Sequence, residues 1–342
     1  MYSVDYYNIE QFPLLRKEWE KLEIGDDMTV FQSYNWYEML NKYYVPGNTK
    51  NYISIYATVR KSGKVVLIAP LWIVLHTFSI INKRGVYFLG RKGWSDYLNF
   101  IYDDFDREAL SFLLSNITIK FKTNRFCLES LRHSSASYQY ICKEMAPTIL
   151  GNGICVSVLL PSSTKDYYNS LSKNTRQNIR TANNRLKKDG VNFCVVTDDQ
   201  QVDTEKCFNI REERFLMKFD KISKLRKFKY AIMKRLSFQF KSFLPFYTYE
   251  YGHFLTSYCG DELSSFFYYL IDKSHKEIVV LAAGVNIKYS RYSPGILSLY
   301  DFIDKNITHG DISSIDFTSG NEKYKYYMGG KEKFISGLVF KL

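Results

Sequence analysis

A loop suited to holding an anion stands at Lys288–Gly295, where the chain reads KYSRYSPG between a strand-like run and a helical pattern. A helix starting there leaves the backbone N–H groups of Gly295, Ile296 and Leu297 without intrahelical acceptors, and the positive end of its dipole points outward. Such a turn binds a pyrophosphate. Gly295 allows close backbone approach, and Pro294 sets the entry angle without needing a donor of its own. Arg291 and Ser293 complete the candidate binding set. The same letters also suit an ordinary connection between a strand and a helix. Twenty residues on, IDFTSGNEKYKYYMGG (Ile315–Gly330) places Asp316 between Ile315 and Phe317 in a strand-like run. A charge there is costly unless it has a role or a hydrogen-bonding neighbour. A third constellation lies in SKNTRQNIRTANNRLKKDG (Ser172–Gly190), where Lys173, Arg176, Arg180 and Lys187 share one helical face. Two guanidiniums one turn apart can fork a diphosphate, although a solvated face would show the same spacing.

Other chemistries lack their signatures. There is no GxSxG, Walker loop or GxGxxG, and no histidine sits in a triad context. Cys127, Cys142, Cys155, Cys194, Cys207 and Cys259 form no CxxC pair, so no metal is expected and the thiols read as small core residues of a reduced protein. No signal peptide is visible, and the longest apolar run, Val65–Leu75, is too short for a membrane span, so a cytoplasmic location is expected. The 342 residues, 46% of them hydrophobic, with only 7 prolines, exclude a disordered or collagenous chain. Lys and Arg number 47 against 35 Asp and Glu, a formal net charge of +12 that favours a polyanionic partner: nucleic acid, an anionic membrane face or a phosphate-bearing small molecule.

The elements that must position these residues follow from periodicity. Two hairpins are expected, at Tyr52–Leu75 around KSGK and at Tyr251–Ile271 around CGDE. Each is followed by a strand (Arg84–Gly90; Glu277–Ile287), a helix (near Arg107–Leu114; about Gly295–Thr308) and another strand (RFCLESL; ISSIDF). Hairpin, strand, helix, strand therefore occurs twice, about 200 residues apart, which predicts two similar α/β (α+β) domains in tandem. LPSS at Leu160–Ser163 marks the boundary, giving domains 1–160 and 161–342. Further helices are expected at Ser172–Gly190 and, strongly basic, at Lys224–Phe243.

The order LGRKGWSDYLNFIYDD, SLSKNTRQNIRTANNRL, YSPGILSLYDFI, IDFTSGNEKYKYYMGG resembles the CelD-like acetyltransferases of the Gcn5-related N-acetyltransferase (GNAT) superfamily, relatives of the Fem-type peptidoglycan aminoacyl transferases. The resemblance spans roughly residues 31–330. Its most specific parts are the SPG loop with its helix and the DFxxGxExYK ending, here Asp316, Phe317, Gly320, Glu322, Tyr324 and Lys325. It implies tandem GNAT-like domains, each a mixed, mostly antiparallel twisted sheet flanked by helices. It also implies an acyl thioester donor, acetyl-CoA or another acyl-CoA, on the second domain, with the acceptor on the side of the first. The usual GNAT loop reads Arg/Gln-x-x-Gly-x-Gly/Ala. Here Arg291 precedes Tyr292-Ser293-Pro294-Gly295 and one glycine remains, which leaves a carrier-protein thioester or aminoacyl-tRNA open as donor.

Acyl transfer to an amine needs a base, a polarised carbonyl and a protonated leaving thiolate. On the resemblance, Asp96 and Asp316 are the candidate bases, with Asp96 preferred. Backbone N–H groups near Ala282–Gly284 are candidate oxyanion donors, and Tyr324 is the candidate acid. Tyr97, Lys173, Arg176, Arg180 and Lys325 are expected to hold substrate. The expected reaction is N-acylation of an amino sugar, nucleotide-linked and destined for a surface polysaccharide. A Fem-like transferase using aminoacyl-tRNA and a non-enzymatic nucleic-acid-binding protein are the alternatives; no helix-turn-helix, RNP or zinc pattern supports the last.

Overall fold

A computed structural model describes the chain except at residues 46, 78–82, 91–94, 220–245 and 247, so the expected basic helix at Lys224–Phe243 lies outside the described residues. Two compact units emerge: residues 1–155 with 332–342, and residues 156–331.

The first unit runs β1 (Tyr2–Tyr7), α1 (Arg16–Leu22), α2 (Tyr34–Tyr43), β2 (Tyr52–Lys61), β3 (Lys64–Val74), β4 (Gly85–Phe88), α3 (Arg107–Phe121), β5 (Arg125–Arg132), α4 (Ala136–Glu144) and the start of β6 (Thr148–Leu159). The expected hairpin is β2–β3. Ser62 and Gly63 both take positive φ (51° and 83°), the geometry whose twist suits a two-residue hairpin. Strands β1 to β4 pair antiparallel, then β4 and β5 pair parallel across helix α3. Trp19, Phe31, Trp36 and Tyr37 are buried beneath them, and the Trp19 indole donates to the Gln32 carbonyl (2.8 Å).

The second unit repeats that plan. It contains α5 (Thr164–Ser170), α6 (Lys173–Lys188), β7 (Phe193–Thr197), α7 (Thr204–Phe219), β8 (Gly252–Cys259), β9 (Glu262–Asp272), β10 (Glu277–Val285), α8 (Pro294–His309), β11 (Ser314–Ser319) and α9 (Lys323–Tyr327). Its sheet order is β11-β10-β9-β8-β7, antiparallel except for the parallel pair β10–β11 on either side of helix α8. Leu299, Phe302, Ile303 and Ile307 of α8 pack on Leu255, Tyr269 and Ile278. Ser172 caps α6 by accepting from the Thr175 N–H (3.1 Å), and Ile179, Ala182 and Leu186 are its buried stripe. Each unit is thus a mixed, mostly antiparallel sheet flanked by helices.

The unit boundary differs from a cut near residue 160. The last strand, β12 (Lys331–Lys341), pairs antiparallel with β5, and Phe340 stacks on Phe126 (centroids 5.1 Å), so residues 332–342 belong with the first unit. The cysteines are free, and they are not uniformly core residues: Cys194 is exposed on β7, where alternate residues face outward.

Candidate active site

The second unit opens its sheet at one point. Strands β10 and β11 are in register only from Glu277–Ser314 to Val279–Asp316. Immediately beyond, a bulge leaves Leu281 out of the β10–β9 ladder, since Val280 faces Tyr269 and Ala282 faces Tyr268. The cause lies in β11. Asp316, 1% exposed, accepts the backbone N–H of Thr318 (2.6 Å), and Thr318 takes a left-handed φ of 54°. Its hydroxyl donates to the Val280 carbonyl (2.9 Å), so side chain replaces backbone and the two strands part. The Asn286 N–H bonds back to Ser264 of β9. By antiparallel alternation the N–H groups of Ala283 and Val285 then face the opened edge.

Helix α8 begins beside that edge. Ser293 has φ 50° and ψ 47°, and Pro294 follows at the first helical position. An ideal Cβ on Gly295 would lie 2.8 Å from the Val285 Cγ2, so glycine is needed for close packing of helix on strand. Ser298 donates to the Pro294 carbonyl (2.5 Å) and meets the buried Ser265 of β9 (3.0 Å), pinning the first turn to the sheet. Helix α9 closes the third side: the Tyr324 ring lies against Phe317 (5.9 Å, edge-on) and Phe267 (6.2 Å). Between these elements is a cavity of about 300 Å³ lined by Ala283, Val285, Ser293, Gly295, Ile296 and Tyr324, with Phe267 at its floor.

Residues 173–326, which contain every residue lining this cavity, match the family model described as an acetyltransferase (GNAT) domain. The chain carries a GNAT acyltransferase domain. The fold agrees over nearly the whole length: FemX superposes with a TM-score of 0.63 at 11% identity, covering 99% of this chain and 97% of its own. A conserved protein of unknown function from Bacteroides thetaiotaomicron gives 0.55 at 11% identity over 100% of both chains. The C-terminal domain of a putative lysylphosphatidylglycerol synthetase from Agrobacterium fabrum gives 0.52 at 10%, covering 96% and 92%. No curated protein sequence matches the chain.

Within the GNAT domain, Tyr324, Ser293, Gly295 and Ile296 line one cavity, beside Ala283. The expectation of three free amides needs correction. The N–H groups of Ile296 and Leu297 both donate to the Ser293 carbonyl (3.0 and 3.1 Å), because Ser293 is the N-cap and its carbonyl accepts the first bonds of the helix. The Gly295 N–H has no acceptor among the described residues.

The nearby cations are already engaged. Arg291 pairs with Asp189 (2.7 Å), which also accepts from the Tyr292 hydroxyl (2.9 Å), and that hydrogen bond raises the Tyr292 pKa. Lys288 and Tyr289 both donate to Glu262, which lowers the Glu262 pKa. Lys325 departs furthest from expectation. It is 2% exposed, and its ammonium donates to the carbonyls of Thr318 (3.2 Å), Ser319 (2.8 Å) and Gly320 (3.0 Å) while pairing with Glu322 (3.1 Å). It clamps the turn that follows β11 and has no donor left for substrate.

The helix face on α6 divides similarly. Arg176 donates through Nη1 to the carbonyls of Asn169 (3.0 Å) and Leu171 (2.5 Å), closing the end of α5, with its guanidinium over Tyr168. Lys173 and Arg180 are exposed. Asp96 lies in the first unit, half-buried in the irregular segment after β4, beside Ser95, whose hydroxyl accepts from the Trp36 indole (2.9 Å). Tyr97 is not a surface contact: its ring is 2% exposed against Phe31 and Arg132, so the expected substrate role gives way to packing. Sequence reasoning missed Asp316 and Thr318 as the pair that opens the strands; the adjacent letters carry no sign of a left-handed threonine. Among the described residues, no cluster of three His, Cys, Asp or Glu side chains could hold a metal ion, and no helix is long and apolar enough to cross a membrane.

Proposed function

We propose that the protein is an N-acyltransferase that moves an acyl group from acyl-CoA, acetyl-CoA in the simplest case, to the amine of a nucleotide-linked amino sugar. The observation that carries the donor half is the opened β10 edge meeting the α8 N-terminus and Tyr324 around one cavity. The amides of Ala283 and Val285 supply hydrogen-bond donors along that edge for the thioester arm and for the oxyanion that forms on its carbonyl. The Gly295 amide and the positive end of α8 favour the pyrophosphate. Tyr324, lining the cavity, protonates the departing thiolate. Transfer is direct, since no nucleophile is needed once the amine is neutral and the thioester is held.

The acceptor half rests on the resemblance to CelD-like enzymes and on the basic chain, whose exposed Lys173 and Arg180 suit a phosphorylated acceptor. Assignment of the first unit to the acceptor, with Asp96 as base, and of the second to the donor belongs to the same reading. The test is a thiol-release assay with acetyl-CoA and longer acyl-CoAs against a panel of nucleotide-linked amino sugars. Turnover with one amino sugar and not with its hydroxyl analogue supports the reading. No thiol release with any acyl-CoA, together with transfer of a radiolabelled aminoacyl group from aminoacyl-tRNA, would turn it to the Fem-type alternative.

A further inference from the structure

The second unit holds a larger cavity, about 880 Å³, at the opposite end of α8 from the donor site. Ile296 lines one and Asn306 the other, and ten residues of helix set them roughly 15 Å apart at 1.5 Å per residue. Its floor is apolar: Ile271 of β9, Ile278 of β10, Phe302 of α8 and Ile312. Its rim is basic, with Lys273 and Lys276 from the β9–β10 turn and Lys305 from α8. Two carboxylates line it as well. Asp198 is committed, accepting from His253 Nδ1 (2.8 Å) and from the Tyr269 hydroxyl (2.9 Å), and Asp311 is exposed. Lys305 pairs with Asp301 (2.7 Å), whereas Lys273 and Lys276 have no ion-pair partner among the described residues. The last turn of α8 presents carbonyls and the negative end of the helix dipole, with its Asn306 and Lys305 carbonyls accepting from the Gly310 N–H and His309 Nδ1, so an anion here would have to be held by the lysines.

A volume within the usual range for small-ligand sites, a hydrocarbon floor and two uncommitted ammonium groups on one lip define a ligand with a long apolar part and a negative end. We propose that this cavity binds a single-chain anionic amphiphile, an acyl or alkyl chain ending in a carboxylate or a phosphate, with the chain on Val196, Ile271 and Ile312, which keep accessible surface over the buried Ile278 and Phe302, and the head between Lys273 and Lys276. The site is independent of the acyl-donor cavity and of the reaction proposed there.

Calorimetric titration of the full chain, below the critical micelle concentrations, with laurate, dodecyl phosphate, dodecyl maltoside and inorganic phosphate tests it. Laurate or dodecyl phosphate should bind at one site, at least tenfold more tightly than dodecyl maltoside or inorganic phosphate, and which of the two binds better identifies the head group. Lys273→Gln with Lys276→Gln, two exposed side chains, should weaken that binding tenfold or more while the melting temperature stays unchanged; Lys305→Gln should weaken it less. Equal binding of dodecyl maltoside, equal binding of inorganic phosphate, an unaffected double variant, or no binding at all would each overturn the proposal.

Discussion

Removing the Tyr324 hydroxyl as Tyr324→Phe should lower kcat about 10- to 100-fold and leave coenzyme A affinity unchanged, because the ring still packs on Phe317 and Phe267. Steady-state kinetics beside a calorimetric titration separates the two effects; wild-type kcat would remove Tyr324 from the chemistry. The two aspartates part company in the same experiment. Asp316→Asn keeps an oxygen for the Thr318 N–H and should leave kcat within about tenfold of wild type. Asp96→Asn should lose about 10²-fold if that carboxylate takes the amine proton. The reverse result would make Asp316 the base. Lys325→Met should cost about 3 kcal/mol in urea unfolding, since three carbonyls and Glu322 lose a buried partner. Lys325 shows where reading letters stops. The DFxxGxExYK ending marks it, but a lysine meant for phosphate and one folded back on its own turn have the same spacing.

The elements were more legible than their contacts. Hairpin turns, the Ser172 cap and the SPG start of α8 are short-range features, and the structure has them where the residues place them. What a face meets is a matter of tertiary packing, which periodicity does not encode. Gly295 illustrates this, because its missing Cβ serves the contact with Val285 and not approach to a ligand alone. Gly295→Val should therefore lower the melting temperature, at about 1–3 kcal/mol of overpacking, together with donor affinity. A variant that lost donor binding at full stability would show instead that position 295 touches only ligand. On α6, Arg176→Gln should destabilise α5 without changing either KM, and Arg180→Gln should raise the acceptor KM alone. Equal effects of Arg180→Gln on both substrates would return that residue to the solvated surface.

At the scale of the whole molecule, the repeated hairpin, strand, helix, strand order was visible because each copy is a local pattern. The return of β12 to β5 was not, because pairing across about 200 residues leaves no local signature. The charge of +12 is a property of the entire chain, and it predicts how tRNA should behave. Under an acyl-CoA mechanism, tRNA binding should fall steeply between two salt concentrations and show no preference over unrelated RNA of equal length. Tight, salt-resistant and tRNA-selective binding would favour the Fem-type alternative. The donor cavity itself is tested most directly by calorimetric titration of acetyl-CoA into the wild-type protein and into Ala283→Phe, whose ring would fill the cavity of about 300 Å³. The wild type should bind one equivalent, and the variant at least tenfold more weakly, or about 1.4 kcal/mol, at unchanged melting temperature. Equal binding to both proteins, or none to the wild type, would contradict the assignment of this cavity to an acyl-CoA donor.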